Sequence, residues 1–180
     1  MKADDLRPAR LHHHAFVVAD QERTRAFYEE IIGLPLIDTW CVEAEPSDYC
    51  HTFYELADGS CLAFFQFVSP AAQAAETRER PSAYDHVALA ATPEAQAAIA
   101  ARAEAAGAFT ATIDHGYCTS LYVPDPDGLL IEITVDDADA VAAAPDRRDR
   151  AHDELARWLG GDHRDNNVYR VHGPIGAGSD

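Results

Sequence analysis

Two stretches of this chain carry the same order of apolar and polar patterns. In the first, LHHHAFVV closes in a β-branched apolar run and predicts a strand. Asp20 then stands ready to cap the helix QERTRAFYEEIIG, in which Phe27, Tyr28 and Ile31 fall at helical spacing and Gly33 supplies the stop. Three strand-like runs follow, LIDTWCVEA, YCHTFYEL and SCLAFFQFV, with Asp58-Gly59 as a tight turn between the last two. In the second stretch YDHVALAA reads as a strand, and Thr92 with Pro93 opens the helix EAQAAIAARAEAAG, which Gly107 ends. FTATIDHG, TSLYVP and LLIEITV complete the set as strands, with Asp127-Gly128 as the matching turn.

Each half is thus a βαβββ unit, residues 11–68 and 84–136, joined by the polar, Pro- and Ala-containing segment SPAAQAAETRERPSA. One four-stranded sheet with one helix leaves a curved face uncovered, and a second copy can close over it. The expected fold is therefore α+β, two tandem modules around a groove that is the natural ligand site. Beyond residue 136 the pattern breaks. Residues 137–180 form a tail whose AHDELARWLG predicts a short helix with Leu155, Trp158 and Leu159 on one side, suited to cover a module or a partner subunit.

Composition narrows the function. The 180 residues are 47% apolar, ordinary for a globular protein, and no run approaches the ~20 apolar residues of a membrane span. The first ten residues lack the apolar stretch of a signal peptide, so a cytoplasmic protein is expected. A formal charge of −17 argues against nucleic acid and anionic membranes as partners. Lys2 is the only lysine, which leaves arginine as the internal fixed cation and disfavours Schiff-base chemistry. Cys41, Cys50, Cys61 and Cys118 form no CxxC pair and read as free thiols.

The repeat singles out candidate ligands. His13 lies in the first strand of one module and His86 at the corresponding place in the other. Each is followed two residues on by an alanine, Ala15 and Ala88, which strand alternation puts on the same face and which leaves room for a metal. Glu132 falls four residues after Gly128 in the last strand, beside the first strand if that sheet closes as expected. Two neutral imidazoles and a carboxylate suit Fe(II), Mn(II), Zn(II), Ni(II) or Co(II) and leave about three open positions on an octahedral ion. The register at the triple histidine has two solutions. The spacing of His86 to Thr92 selects His14, whereas the family resemblance given below implies about seven residues from the ligand to Asp20 and selects His13, which we prefer.

The segments HHHAFVVADQERTRAFYEEIIGLPL, YDHVALAATPEA and SLYVPDPDGLLIEITV resemble the vicinal oxygen chelate superfamily, which includes glyoxalase I, extradiol dioxygenases, fosfomycin-modifying enzymes and bleomycin-binding proteins. DPDG followed four residues later by glutamate is the most specific part. The resemblance implies paired βαβββ modules forming a U-shaped, metal-lined cleft, and it carries metal ligation onto His13, His86 and Glu132.

Within that superfamily, resemblance to glyoxalase I implies a fourth ligand from the last strand of module one. Overlaying Asp58-Gly59 on Asp127-Gly128 puts Ala63 there, and alanine binds no metal. The run TIDHGYCTSLYV before DPDG holds neither lysine nor arginine, which disfavours a phosphonate. Extradiol-type dioxygenases fit the remainder best: Fe(II), a small catechol-like or other vicinal-oxygen substrate, and acid–base groups among His115, Tyr117 and Tyr122, with His51 and Tyr54 facing the cleft from module one. A glyoxalase-type isomerase and a non-catalytic drug-binding protein are the alternatives. Trp40, Phe53, Phe64, Phe65 and Phe67 suggest an aromatic lining, and the short chain suggests a homodimer whose sites need both copies.

Overall fold

A computed structural model describes residues 7–77 and 84–167. Strands β1 (His13–Val17), β2 (Leu36–Val42), β3 (Tyr49–Glu55) and β4 (Cys61–Phe67) form one sheet in the order β1-β4-β3-β2. Strands β5 (His86–Ala90), β6 (Ala111–Asp114), β7 (Cys118–Pro124) and β8 (Leu130–Asp136) repeat it as β5-β8-β7-β6. In both sheets the first strand pairs parallel with the last and the others pair antiparallel. The expected α+β architecture of two βαβββ modules is therefore the fold.

The first module's helix begins as foreseen. Asp20 accepts the Arg23 N–H at 2.9 Å and starts α1 (Gln21–Arg25). The continuation over Ala26–Ile32 is π-helical, not the single regular helix that the spacing predicts. Its wider turn lets the adjacent Phe27 and Tyr28 both reach the core together with Ile32. The linker also departs from expectation, since α2 (Pro70–Glu76) forms within it, capped by Ser69 with Pro70 in its first turn. Thr92 caps α3 (Pro93–Ala105), the helix of module two. After β8 come α4 (Ala138–Ala142) and α5 (Ala144–Leu159), the latter starting seven residues before the helix read from sequence, with Pro145 in its first turn. Leu155, Trp158 and Leu159 all remain exposed and cover neither module.

One core serves both modules. Phe27, Tyr28 and Ile32 from the first helix, Ile99 and Ala103 from α3, and the inward faces of β4, β7 and β8 form a single buried cluster. The helices therefore lie between the two sheets. Arg102 of α3 reaches across to donate to the carbonyls of Ile31 and Ile32 at 2.7 and 3.0 Å, capping the π-helical end.

DPDG proves to be a clip between the modules. The buried Asp125 carboxylate accepts the backbone N–H groups of Asp127 and Leu129 through Oδ1, at 2.9 and 2.7 Å, which closes the turn over Gly128 at φ +82°. Its Oδ2 accepts the Tyr28 hydroxyl of module one at 3.0 Å. Asp127 in turn accepts the Ala19 N–H of module one at 3.0 Å.

Burying one face of each sheet against the helices leaves the other face open. Side-chain alternation puts His13, Ala15, Ala63, Phe65, Phe53, His51 and Trp40 on the open face of sheet one, and His86, Ala88, Glu132 and Tyr122 on that of sheet two. Tyr54 and Phe64, placed by sequence among the cleft residues, have the opposite parity and are wholly buried in the core.

Candidate metal centre

Strand register places the candidate ligands. His13 pairs with Cys61 and Ala15 with Ala63; in the same manner His86 pairs with Leu130 and Ala88 with Glu132. His13 is therefore the counterpart of His86, and Ala63 that of Glu132. Two glutamines support this equation: Gln21 donates to the carbonyl of Phe64, and Gln96 to that of Ile133, the residues that follow Ala63 and Glu132. His14 has the other parity. It lies beside Leu62 with its ring 4.2 Å from Phe16.

In module two the groups meet. His86 Nε2 lies 2.9 Å from Glu132 Oε2, with the glutamate side chain 8% exposed and the histidine 32%. Glu132 Oε1 accepts the Tyr122 hydroxyl at 2.9 Å, and the same hydroxyl lies 2.9 Å from His115 Nε2. A phenol has one proton, and here Glu132 receives it. His115 Nε2 is thus the donor to the phenol oxygen, which fixes that nitrogen as N–H. Burial, then the bond to Glu132, raises the Tyr122 pKa well above its ordinary value and keeps the phenol protonated. The result is a continuous chain, His86–Glu132–Tyr122–His115, along one strand pair and the neighbouring turn.

The other sequence candidates fall elsewhere. His115 and Tyr117 lie in the turn between β6 and β7, not on strands as read from sequence. Tyr117 stacks on His115 at 5.8 Å but is 43% exposed and lines a separate pocket of ≈ 430 Å³ with Arg147, Arg150 and Glu154 of α5. His13 is exposed, 2.8 Å from His12 through their Nδ1 atoms and 6.2 Å from the His51 ring. Among the described residues no three His, Cys, Asp or Glu side chains gather as a metal-holding group. Within one chain, then, two of the three expected ligands come together and His13 stands apart on the other sheet.

The pair fits a divalent ion. Two neighbouring donors on an octahedral ion with bonds of ~2.1 Å lie about 3 Å apart, which matches the 2.9 Å between His86 Nε2 and Glu132 Oε2. An imidazole and a carboxylate are also the donor types that first-row metals take, and Tyr122 orients the carboxylate from behind. On sheet one, burial and then the charge of His13 lower the His51 pKa.

The sequence matches the family profile described as the Glyoxalase/Bleomycin resistance protein/Dioxygenase superfamily over residues 10–133. The chain belongs to this superfamily. A comparison with curated proteins finds no significant match. Solved structures share the fold at low identity. Fosfomycin resistance protein FosX from Listeria monocytogenes, complexed with Mn(II) and sulfate, is 20% identical with a TM-score of 0.56, covering 76% of this chain and 99% of that one. Glyoxalase I of Leishmania major is 19% identical with a TM-score of 0.60, covering 81% and 99%. A glyoxylase/bleomycin resistance protein/dioxygenase domain from Frankia sp. EAN1pec is 15% identical with a TM-score of 0.57, covering 73% and 100%. Among the described residues no helix is long and apolar enough to cross a membrane.

Proposed function

We propose that this chain is a divalent-metal-dependent enzyme, with His86 and Glu132 holding the ion together with His13 of a second copy. The reading rests above all on the chain His86–Glu132–Tyr122–His115, which joins a metal-type donor pair to two buried hydrogen-bonding groups. The separation of His13 from that pair within one chain supports a homodimer in which each site draws on both copies. The substrate is a small molecule that presents two adjacent oxygens. The finer reading is an Fe(II) extradiol-type dioxygenase acting on a catechol-like compound.

A metal ion at this place supplies open positions for a chelating substrate, and iron(II) adds electron transfer to dioxygen. The protein's own groups do the rest. Glu132 is held in one orientation by the Tyr122 hydroxyl, so its free oxygen is aimed without reorganisation. Tyr122 stays protonated, donating to Glu132 while it accepts from His115 Nε2. His115 closes the buried end of this hydrogen-bonded chain. Tyr117 shields its ring from solvent.

The Ala63 register favours this reading over a four-ligand glyoxalase, because the strand position equivalent to Glu132 carries no donor. The test is metal analysis of protein purified without oxygen, followed by oxygen uptake with a panel of catechols. The proposal expects iron or a related divalent ion near one per chain, lost in His86→Ala and Glu132→Ala with the fold retained. Full metal content in either variant removes the metal site; metal without oxygen uptake for any catechol removes the dioxygenase.

A further inference from the structure

His51 sits at the middle of the open face of sheet one, paired with Phe65 on one side and Trp40 on the other. Its ring stacks on Phe65 at 3.6 Å and 16°, lies 4.2 Å from Phe53, and meets Trp40 edge-on at 6.2 Å. The side wall is closed by His13, also 6.2 Å away. The residue is 7% exposed, and its Nε2 is buried with no hydrogen-bond partner.

Packing does not explain a histidine here. Every ring around it is aromatic, so phenylalanine would fill the same space without burying an unsatisfied nitrogen. Nor does the core between the sheets need it, since His51 lies on the face of β3 opposite the helices. Beside it on the same face lies His13, the residue that the preceding reading gives to the metal. A buried nitrogen left unpaired beside a ligand site is a partner held in reserve for what binds there.

We propose that His51 contacts the substrate, its Nε2 hydrogen-bonding an oxygen of the chelating molecule bound beside His13, while Trp40, Phe53 and Phe65 fix the imidazole plane. The ligand class is a small planar or compact molecule bearing a hydroxyl or its anion. This assignment rests on the metal reading above and makes His51 the first polar substrate contact drawn from module one, opposite the Tyr122–His115 pair of module two.

Nitrocatechol, whose visible absorption changes on chelation, serves as the probe, titrated under nitrogen into protein loaded with Fe(II). His51→Phe keeps the stacked ring and removes both nitrogens. The expected result is unchanged metal content, a Kd for nitrocatechol weaker by about tenfold or more, and a melting temperature of the metal-free protein equal to or above wild type. His51→Gln, which returns a polar group near Nε2, should recover part of the affinity. Wild-type affinity in His51→Phe overturns the inference and leaves the metal reading intact. Loss of metal in His51→Phe also overturns it, because His51 would then support the ion and not the substrate. Retention of metal by His86→Ala refutes the metal reading instead. Wild-type protein that holds iron but ignores nitrocatechol overturns both the catechol class and the role of His51.

Discussion

Tyr122→Phe removes a single oxygen from the centre of the site. That oxygen donates to Glu132 Oε1 and receives His115 Nε2–H, both at 2.9 Å, and all three residues are less than a tenth exposed. A bond to a carboxylate contributes about 1.5–3 kcal/mol and a neutral one about 0.5–1.5 kcal/mol, and phenylalanine restores neither. The variant also strands a buried imidazole N–H and a buried carboxylate oxygen, which adds their desolvation penalty to the lost bonds. A loss of ~2–4 kcal/mol follows, which for a chain of this size lowers the melting temperature by roughly 5–15 °C. Metal affinity should fall as well, by about 10–100-fold, because the carboxylate loses the group that orients it. Calorimetry of the metal-free protein reads the first effect, and competition with a chelator of known affinity reads the second. A melting temperature within a degree of wild type would mean that the hydrogen-bonded chain does not exist in solution. Unchanged metal affinity with the expected destabilisation would separate the fold's use of Tyr122 from the site's.

Asp125→Ala removes the acceptor of two backbone N–H groups and of the Tyr28 hydroxyl, so urea unfolding should show a loss of about 3–5 kcal/mol. Tyr54→Phe should be neutral or stabilising by up to about 1 kcal/mol, since the buried hydroxyl has no partner to lose. Burial pushes the Tyr54 pKa up from 10.0 to about 12. The folded state therefore holds this proton where the unfolded state has lost it, and stability declines as pH rises through that window; Tyr54→Phe should flatten the decline, and an identical alkaline melting profile would refute the assignment. If each site draws His13 from a second copy, His13→Ala and Glu132→Ala chains should each bind metal poorly alone. Unfolded and refolded together in equal amounts, they should regain roughly a quarter of the sites, and no recovery would place all ligands in one chain.

The fold was largely legible because duplication and periodicity coincide. Asp20, Thr92, Gly33 and Gly107 mark helix ends that any reader of capping residues would place, and the two Asp-Gly turns fix which strands follow. Strand parity was less secure. Tyr54 and Phe64 were assigned to the cleft because aromatic residues occupy both faces of β3 and β4, which leaves no polar alternation to reveal the inward side. At the triple histidine two spacings disagree, one favouring His13, the preferred reading, and one His14; pairing with Cys61 and Leu62 puts His13 at the place that His86 holds in module two. The π-helical segment has no local signature; it follows from burying adjacent aromatic residues and from the cap that Arg102 brings from 70 residues away. The role of Asp125 was half visible, since DPDG stood out as a family feature while its bond to Tyr28 depends on how the modules dock.

Docking also decides what the repeat can do. Because the helices of both modules lie between the sheets, the expected ligands are divided between two faces, and among the described residues no three of them gather. Duplication has left the faces unequal in a way that suits such a division. The face of module two keeps the carboxylate and backs it with Tyr122 and His115 in one hydrogen-bonded chain. The face of module one has alanine at the carboxylate's position and surrounds it with Phe53, Phe65, Trp40 and a histidine, so it offers shape, a flat apolar wall and neutral nitrogen. On an octahedral ion a fourth protein donor at the position of Ala63 would leave about two open positions in place of three. If the proposed ion is held by His13, His86 and Glu132, the alanine at position 63 would leave it a third open position, which chemistry between a chelated substrate and a second reactant would require.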